Sequence, residues 1–192
     1  MAKIPTAILE AASKIKLVIL DVDGVMTDGT LYYGNNGEEL KGFNIQDGLG
    51  IKLLQQHGIQ VGIITGRVSE LLQRRANELS INLLIQGRDD KLIALDELLE
   101  SRQESLEEIA FMGDDLPDLS AISKVGLGIA VANACSTVAE VAKWQTLKAG
   151  GNGAVRELAE MLLTAQGKWA RTVSSYQSVS YTHLTLPTSV TV

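Results

Sequence analysis

Cysteine is almost missing from this chain of 192 residues. Cys135 stands alone, which excludes an internal disulfide framework and fits a reducing compartment. It has no basic or histidine neighbour in sequence, so it reads as a small buried hydrophobe and not as a nucleophile. Long apolar runs are missing too. None approaches the roughly 20 residues of a membrane span, and Glu10, Lys14 and Lys16 interrupt the apolar N-terminal stretch, so no membrane segment or secretory leader is expected. Basic stripes are also absent. A net charge of −6 argues against a nucleic-acid partner, because little cationic surface is available to neutralise phosphates. A cytoplasmic protein engaging neither nucleic acid nor membrane is the expectation.

What remains is ordinary for a globular domain, with 45% hydrophobic and 21% charged residues and no internal repeat. From about residue 16 to 165, apolar strand-like runs alternate with helical periodicities. The runs are 17–20, 59–64, 82–85, 109–112, 125–131 and 144–147, and helices are expected at 47–58, 69–79, 91–100, 119–122, 138–142 and, as the last, about 155–162. Such alternation predicts an α/β fold, a three-layer Rossmann-like parallel sheet with helices on both faces. Residues 30–43, centred on Gly34-Asn35-Asn36-Gly37, read as a β-hairpin after the first strand. Asp47 is the expected N-cap of the next helix and Gly58 its stop. Gly150 to Gly153 read as a flexible turn. The domain spans 1–177; residues 178–192, rich in Ser, Thr and Val, fit no earlier pattern and read as a tail foreign to it.

Four motifs fall at the C-terminal ends of strands, where open α/β sheets bind ligands. Asp21-Val22-Asp23-Gly24 follows the apolar run Leu17 to Leu20. A carboxylate there can attack phosphorus and its neighbour can handle a proton, although an acidic turn capping a strand would look the same. Thr65-Gly66-Arg67 offers a hydroxyl, an approachable backbone N–H and a cation; as an isolated motif it is an ordinary turn. Lys91 opens a helix, where a cation opposes the macrodipole, which suggests an anion partner; pairing with Asp89 or Asp90 is the plain alternative. Asp114, Asp115 and Asp118 crowd three acids after a buried strand. Helix capping explains one of them, and a hard cation such as Mg²⁺ explains three.

This ordered set, from about residue 17 to 119, resembles the haloacid dehalogenase superfamily of aspartate-nucleophile phosphatases. The longer strings 21–29, 43–48 and 150–157 are similar to its capless members acting on sugar-acid phosphates. The resemblance implies Asp21 as nucleophile and Asp23 as general acid/base. It implies Mg²⁺ held by Asp21, the Asp23 main-chain carbonyl and Asp114, with Asp115 and Asp118 orienting metal waters and Lys91. Thr65, Gly66 and Lys91 would hold the phosphoryl group. Arg67, and Arg75 from a neighbouring subunit, would face the acid end of the substrate. Capless relatives of this type form tetramers, and exposed Tyr32 and Tyr33 on the hairpin would suit such contacts. A homotetramer acting on a small sugar-acid phosphate is therefore expected. Two other readings compete with it: a phosphatase for a nine-carbon sugar acid, and a phospho-accepting receiver module, whose strand order fits the late Gly-Asp-Asp poorly. A silent assembly subunit would not need both Asp21 and Asp23. His57, at a helix end, reads as structural.

Overall fold

The computed structural model describes residues 4–35 and 39–177. Six parallel strands form the sheet: β1 (Leu17–Leu20), β4 (Gln60–Thr65), β5 (Leu83–Gln86), β6 (Ile109–Gly113), β7 (Leu127–Ala130) and β8 (Trp144–Gln145). Their order is β5-β4-β1-β6-β7-β8. The chain runs outward from β1 through β4 to β5, then crosses back to β6 on the other side of β1. That reversal opens a crevice at the C-terminal end of β1. The hairpin is a separate antiparallel pair, β2 (Tyr32–Tyr33) with β3 (Glu39–Leu40). The centre of its turn and the tail 178–192 lie outside the described residues.

Alternation along β1 divides the core. Val18 and Leu20 face one layer, formed by α1 (Thr6–Ser13), α2 (Ile45–Gln56), α3 (Glu70–Glu78) and α7 (Ala154–Ala165). Leu17 and Ile19 face the other, formed by α4 (Lys91–Leu99), α5 (Leu119–Lys124) and α6 (Ser136–Val141). Apolar residues on both faces are what a parallel strand covered by helices requires. An eighth helix, α8 (Trp169–Gln177), docks through Trp169 on the first layer, and His57 Nε2 lies 2.7 Å from the Thr172 hydroxyl. The contact ties the C-terminal end of α2 to α8.

Several expectations need correcting. Neither α1 nor α8 was foreseen, and α7 is not the last helix. Asn44, and not Asp47, caps α2, its side-chain oxygen accepting from the N–H groups of Gln46 and Asp47. Asp47 is buried and caps α7 instead, accepting from Gly153 N–H at 3.2 Å and Arg156 N–H at 2.8 Å. Its charge at that helix N-terminus is favourable and ties α2 to α7. Burial still pushes its carboxyl above the ordinary range, against those N–H groups. Residues 150–153 are not a free turn: Gly150 and Gly153 are buried, and Gly151 N–H donates to the Val25 carbonyl at 2.9 Å. Cys135 is half-buried and not fully enclosed.

Candidate active site

Asp21 follows the last residue of β1 and continues its ladder, donating its N–H to the Met112 carbonyl at 3.0 Å. The chain then turns sharply, with the N–H groups of Val25, Met26 and Thr27 all converging on the Val22 carbonyl. The buried Thr27 hydroxyl accepts from Gly24 and Gly29, closing the loop that carries Asp23. Gly24 has φ +97°, a left-handed conformation that disfavours a side chain, and a Cβ there would collide with the Asp114 carboxylate. A Cβ on Gly150 would collide with the Gly24 carbonyl. These close approaches pack the 150–153 turn, the nucleophile loop and the end of β6 into one unit.

The plain reading of Lys91 fails, and that of the acidic run is only partly right. Lys91 is 3% exposed and does not pair with Asp89 or Asp90. Its Nζ donates to Asp21 Oδ1 at 2.5 Å and to Asp118 Oδ1 at 2.7 Å. Asp90 instead pairs with Arg88, and a Cβ on Gly66 would strike Asp89. Asp118, 1% exposed, spends its other oxygen accepting from the N–H groups of Asp114 (2.9 Å) and Asp115 (3.3 Å). Capping explains Asp115, which is exposed and accepts from Leu116 N–H, and also one oxygen of Asp118, which completes the capping box on Asp115 N–H.

Carboxylate oxygens of Asp21, Asp114 and Asp118 lie within 4.8 Å of one another. Three carboxylates against the single ammonium of Lys91 leave two negative charges, so the cluster is poised for a divalent cation. Burial pushes the Asp21 carboxyl up to about 6, against the opposing charge of Lys91. Burial also pushes Asp114 up to about 7, reinforced by the neighbouring carboxylates of Asp21, Asp118 and Asp115. Burial disfavours the charged Lys91, but Asp21 and Asp118 outweigh it and raise its pKa. An all-oxygen acidic donor set suits a hard ion. Asp118 has both oxygens committed to protein donors, so Asp21 and Asp114 are the members of the cluster that could hold such an ion.

Asp23 stands at the outer side of this cluster. Its Oδ1 accepts from Lys41, and its Oδ2 lies 3.6 Å from Arg67 Nε. Arg67 also donates to the Tyr33 hydroxyl at 3.1 Å. Thr65, the last residue of β4, is buried at the same rim. Arg75 is placed elsewhere: it pairs with Glu78, reaches the Asn44 carbonyl at 3.5 Å and covers the Phe43 ring. Lys41 was not singled out from sequence. It lies 18 residues from Asp23, and nothing in the local pattern announces the contact.

Fold and site together define a haloacid dehalogenase-like hydrolase, and the model of that description matches residues 80–158. A curated 3-deoxy-D-manno-octulosonate 8-phosphate phosphatase from Yersinia pestis is 49% identical over 84% of this chain and 86% of its own. The solved enzyme of that name from Moraxella catarrhalis, in complex with magnesium ion, phosphate ion and a KDO molecule, is 46% identical. It superposes with a TM-score of 0.87 over 88% of this chain and 98% of its own. The cobalt-bound form from Haemophilus influenzae is 40% identical, with a TM-score of 0.83 over 88% of this chain and 99% of its own. The chain belongs to the family of 3-deoxy-D-manno-octulosonate 8-phosphate phosphatases. Among the described residues, no helix is long and apolar enough to cross a membrane.

Proposed function

We propose that the protein is a Mg²⁺-dependent phosphatase that hydrolyses 3-deoxy-D-manno-octulosonate 8-phosphate to the free sugar acid and phosphate, supplying lipopolysaccharide precursors. The carrying observation is the juxtaposition of Asp21, Lys91 and Asp114 at the end of β1. Asp21 attacks phosphorus, the ester P–O bond breaks, and the Asp23 carboxyl gives its proton to the departing oxygen. In the second step water attacks the aspartyl phosphate and passes a proton to Asp23. The bond to Asp21 breaks, and its carboxylate is restored. Thr65, the Gly66 N–H and Lys91 hold the phosphoryl oxygens. Asp21, the Asp23 main-chain carbonyl and Asp114 hold the Mg²⁺, which when bound neutralises charge between nucleophile and phosphate. Asp118 fixes Lys91, and Asp115 steadies the loop bearing Asp114.

Arg67 serves the acid end of the substrate, and Arg75 serves it from a neighbouring subunit of a cytoplasmic homotetramer. Tyr32, Tyr33, Leu40 and Ile45, all more than half exposed, support an interface at the hairpin, and Arg75 lies beside the same edge through Phe43 and Asn44. The test is phosphate release with Mg²⁺ across the eight-carbon acid phosphate, a nine-carbon analogue and hexose phosphates. The eight-carbon substrate should exceed hexose phosphates by on the order of 10²-fold or more in kcat/KM, since a site that sets cations at the acid end of its substrate gains nothing from an uncharged end. Preference for the nine-carbon acid would reassign the substrate, and equal use of hexose phosphates would sink the sugar-acid reading.

Metal binding has its own readout. Both raised carboxyls, Asp21 at about 6 and Asp114 at about 7, sit above their ordinary value of 3.8. Their contribution to stability is therefore complete below that value and is lost as pH rises through 6 to 7. Metal-free protein should melt lower at about pH 8 than at about pH 5, and Mg²⁺ should restore it mainly at the higher pH. A hundredfold excess over the dissociation constant adds about 2.7 kcal/mol, or roughly 5–10 °C for a chain of this size. An unchanged melting temperature at the higher pH would remove the metal assignment.

A further inference from the structure

Asp23 is gripped through both of its oxygens by cations from separate parts of the chain. Lys41, just past β3, donates to Oδ1, while Arg67, just past β4, faces Oδ2 at 3.6 Å. Tyr33 on β2 accepts from Arg67 Nη2, so the hairpin reaches the carboxylate by two routes. The two cations are unlike. The Lys41 side chain is 2% exposed, whereas that of Arg67 is 40% exposed. A lysine so fully removed from water carries a large desolvation cost, which a charge-assisted contact must offset. The contact thus fixes a short side chain that could otherwise rotate among several rotamers.

We propose that Lys41 is a positioning residue for the phosphatase reaction: it clamps Asp23 Oδ1 so that Oδ2 faces the ester oxygen. The assignment rests on the reading of Asp23 as the general acid/base. Proton transfer requires heavy atoms about 2.6–3.2 Å apart, a tolerance that a freely turning carboxylate does not keep. With Oδ1 clamped, Oδ2 delivers its proton to the departing oxygen as the P–O bond breaks. It collects a proton from the attacking water in the second step. Arg67, in the longer contact and half in solvent, is the partner that can turn to the substrate. The hairpin therefore does more than bury surface between subunits: through Lys41 it sets the geometry of a catalytic group.

The experiment compares leaving groups. In the full chain with Mg²⁺, kcat/KM is measured for Lys41→Met and Lys41→Arg on the sugar-acid phosphate and on p-nitrophenyl phosphate. Nitrophenolate departs without needing a proton, and kcat/KM reports steps only up to that departure, so in this ratio only the alkyl ester depends on an aimed Asp23. The later attack of water, common to both substrates, does not enter it. Lys41→Met should lose on the order of 10²-fold on the alkyl phosphate and under about threefold on the aryl phosphate. Lys41→Arg should regain about tenfold of that loss, because it keeps the charged donor. Equal losses on both substrates would show that Lys41 serves only folding or phosphate attraction, and no loss on either would show that the clamp is idle; each overturns the proposal. If Lys41→Met fails to fold, Lys41→Gln is read against the same pair. Any alkyl phosphate that the parent hydrolyses serves the comparison, so an error in the substrate assignment and an error about Lys41 give different results.

Discussion

Asp21→Asn is expected to lower kcat by on the order of 10⁴-fold or more, since it removes the atom that forms the covalent intermediate. The amide is nearly isosteric and cannot attack phosphorus. The fold should survive and gain slightly. Asp21 is 6% exposed, and burial works against its charge, so a neutral side chain sits there at lower cost. Lys91 keeps Asp118 as a partner at 2.7 Å, so no ammonium is left unpaired. Phosphate release paired with a thermal melt checks both halves. Near-parental turnover would mean that the nucleophile lies elsewhere, and a melt well below the parent would mean that the Lys91 pair matters more than burial. Asp23→Asn should also silence alkyl phosphates, by loss of the proton donor and not of the attacking oxygen.

Lys91→Met is expected to weaken both activity and the fold. Removing the ammonium leaves the carboxylates of Asp21, Asp114 and Asp118 facing each other at the rim without compensation. Breaking a buried ion pair from one side costs about 3–5 kcal/mol, most of it expected at about pH 8. At about pH 5 the loss should shrink, because the raised carboxyls of Asp21 and Asp114 take up protons and no longer repel one another. Urea midpoints at the two pH values in metal-free buffer measure the difference. A loss independent of pH would assign Lys91 to packing through its methylene stem. Phosphate release should fall as well, since Lys91 donates directly to Asp21, the proposed nucleophile.

Much of this site could be read along the chain, because its acids and Lys91 stand at strand ends and helix starts, which local apolar patterns locate. The paired Asp21 and Asp23 follow a run buried on both faces, and that run alone marks β1. What escaped depends on contacts between distant segments. Asp47 carries the signature of a cap but serves a helix 106 residues away. Lys91 looks like a surface partner of Asp90 until the fold brings Asp21 and Asp118 over it. Helices α1 and α8 are amphipathic, but each buries a single residue, Ala12 and Thr172, and both lie outside the alternating stretch 16–165 on which the sequence reading rests. Lys41 is masked by its surroundings, since Tyr33 and Leu40 beside it are exposed.

The bare backbone seam at Gly24 and Gly150 has a consequence for anyone redesigning the enzyme's scope. Side-chain variation at either position strikes main chain or the Asp114 carboxylate, so random libraries covering residues 24 and 150 would fill with inactive clones. Tyr32, Tyr33 and Leu40 are more than half exposed within the single chain, so changes there meet little of the subunit's own packing. Directed evolution toward longer or shorter acids therefore belongs on the hairpin, with the seam left as an invariant frame.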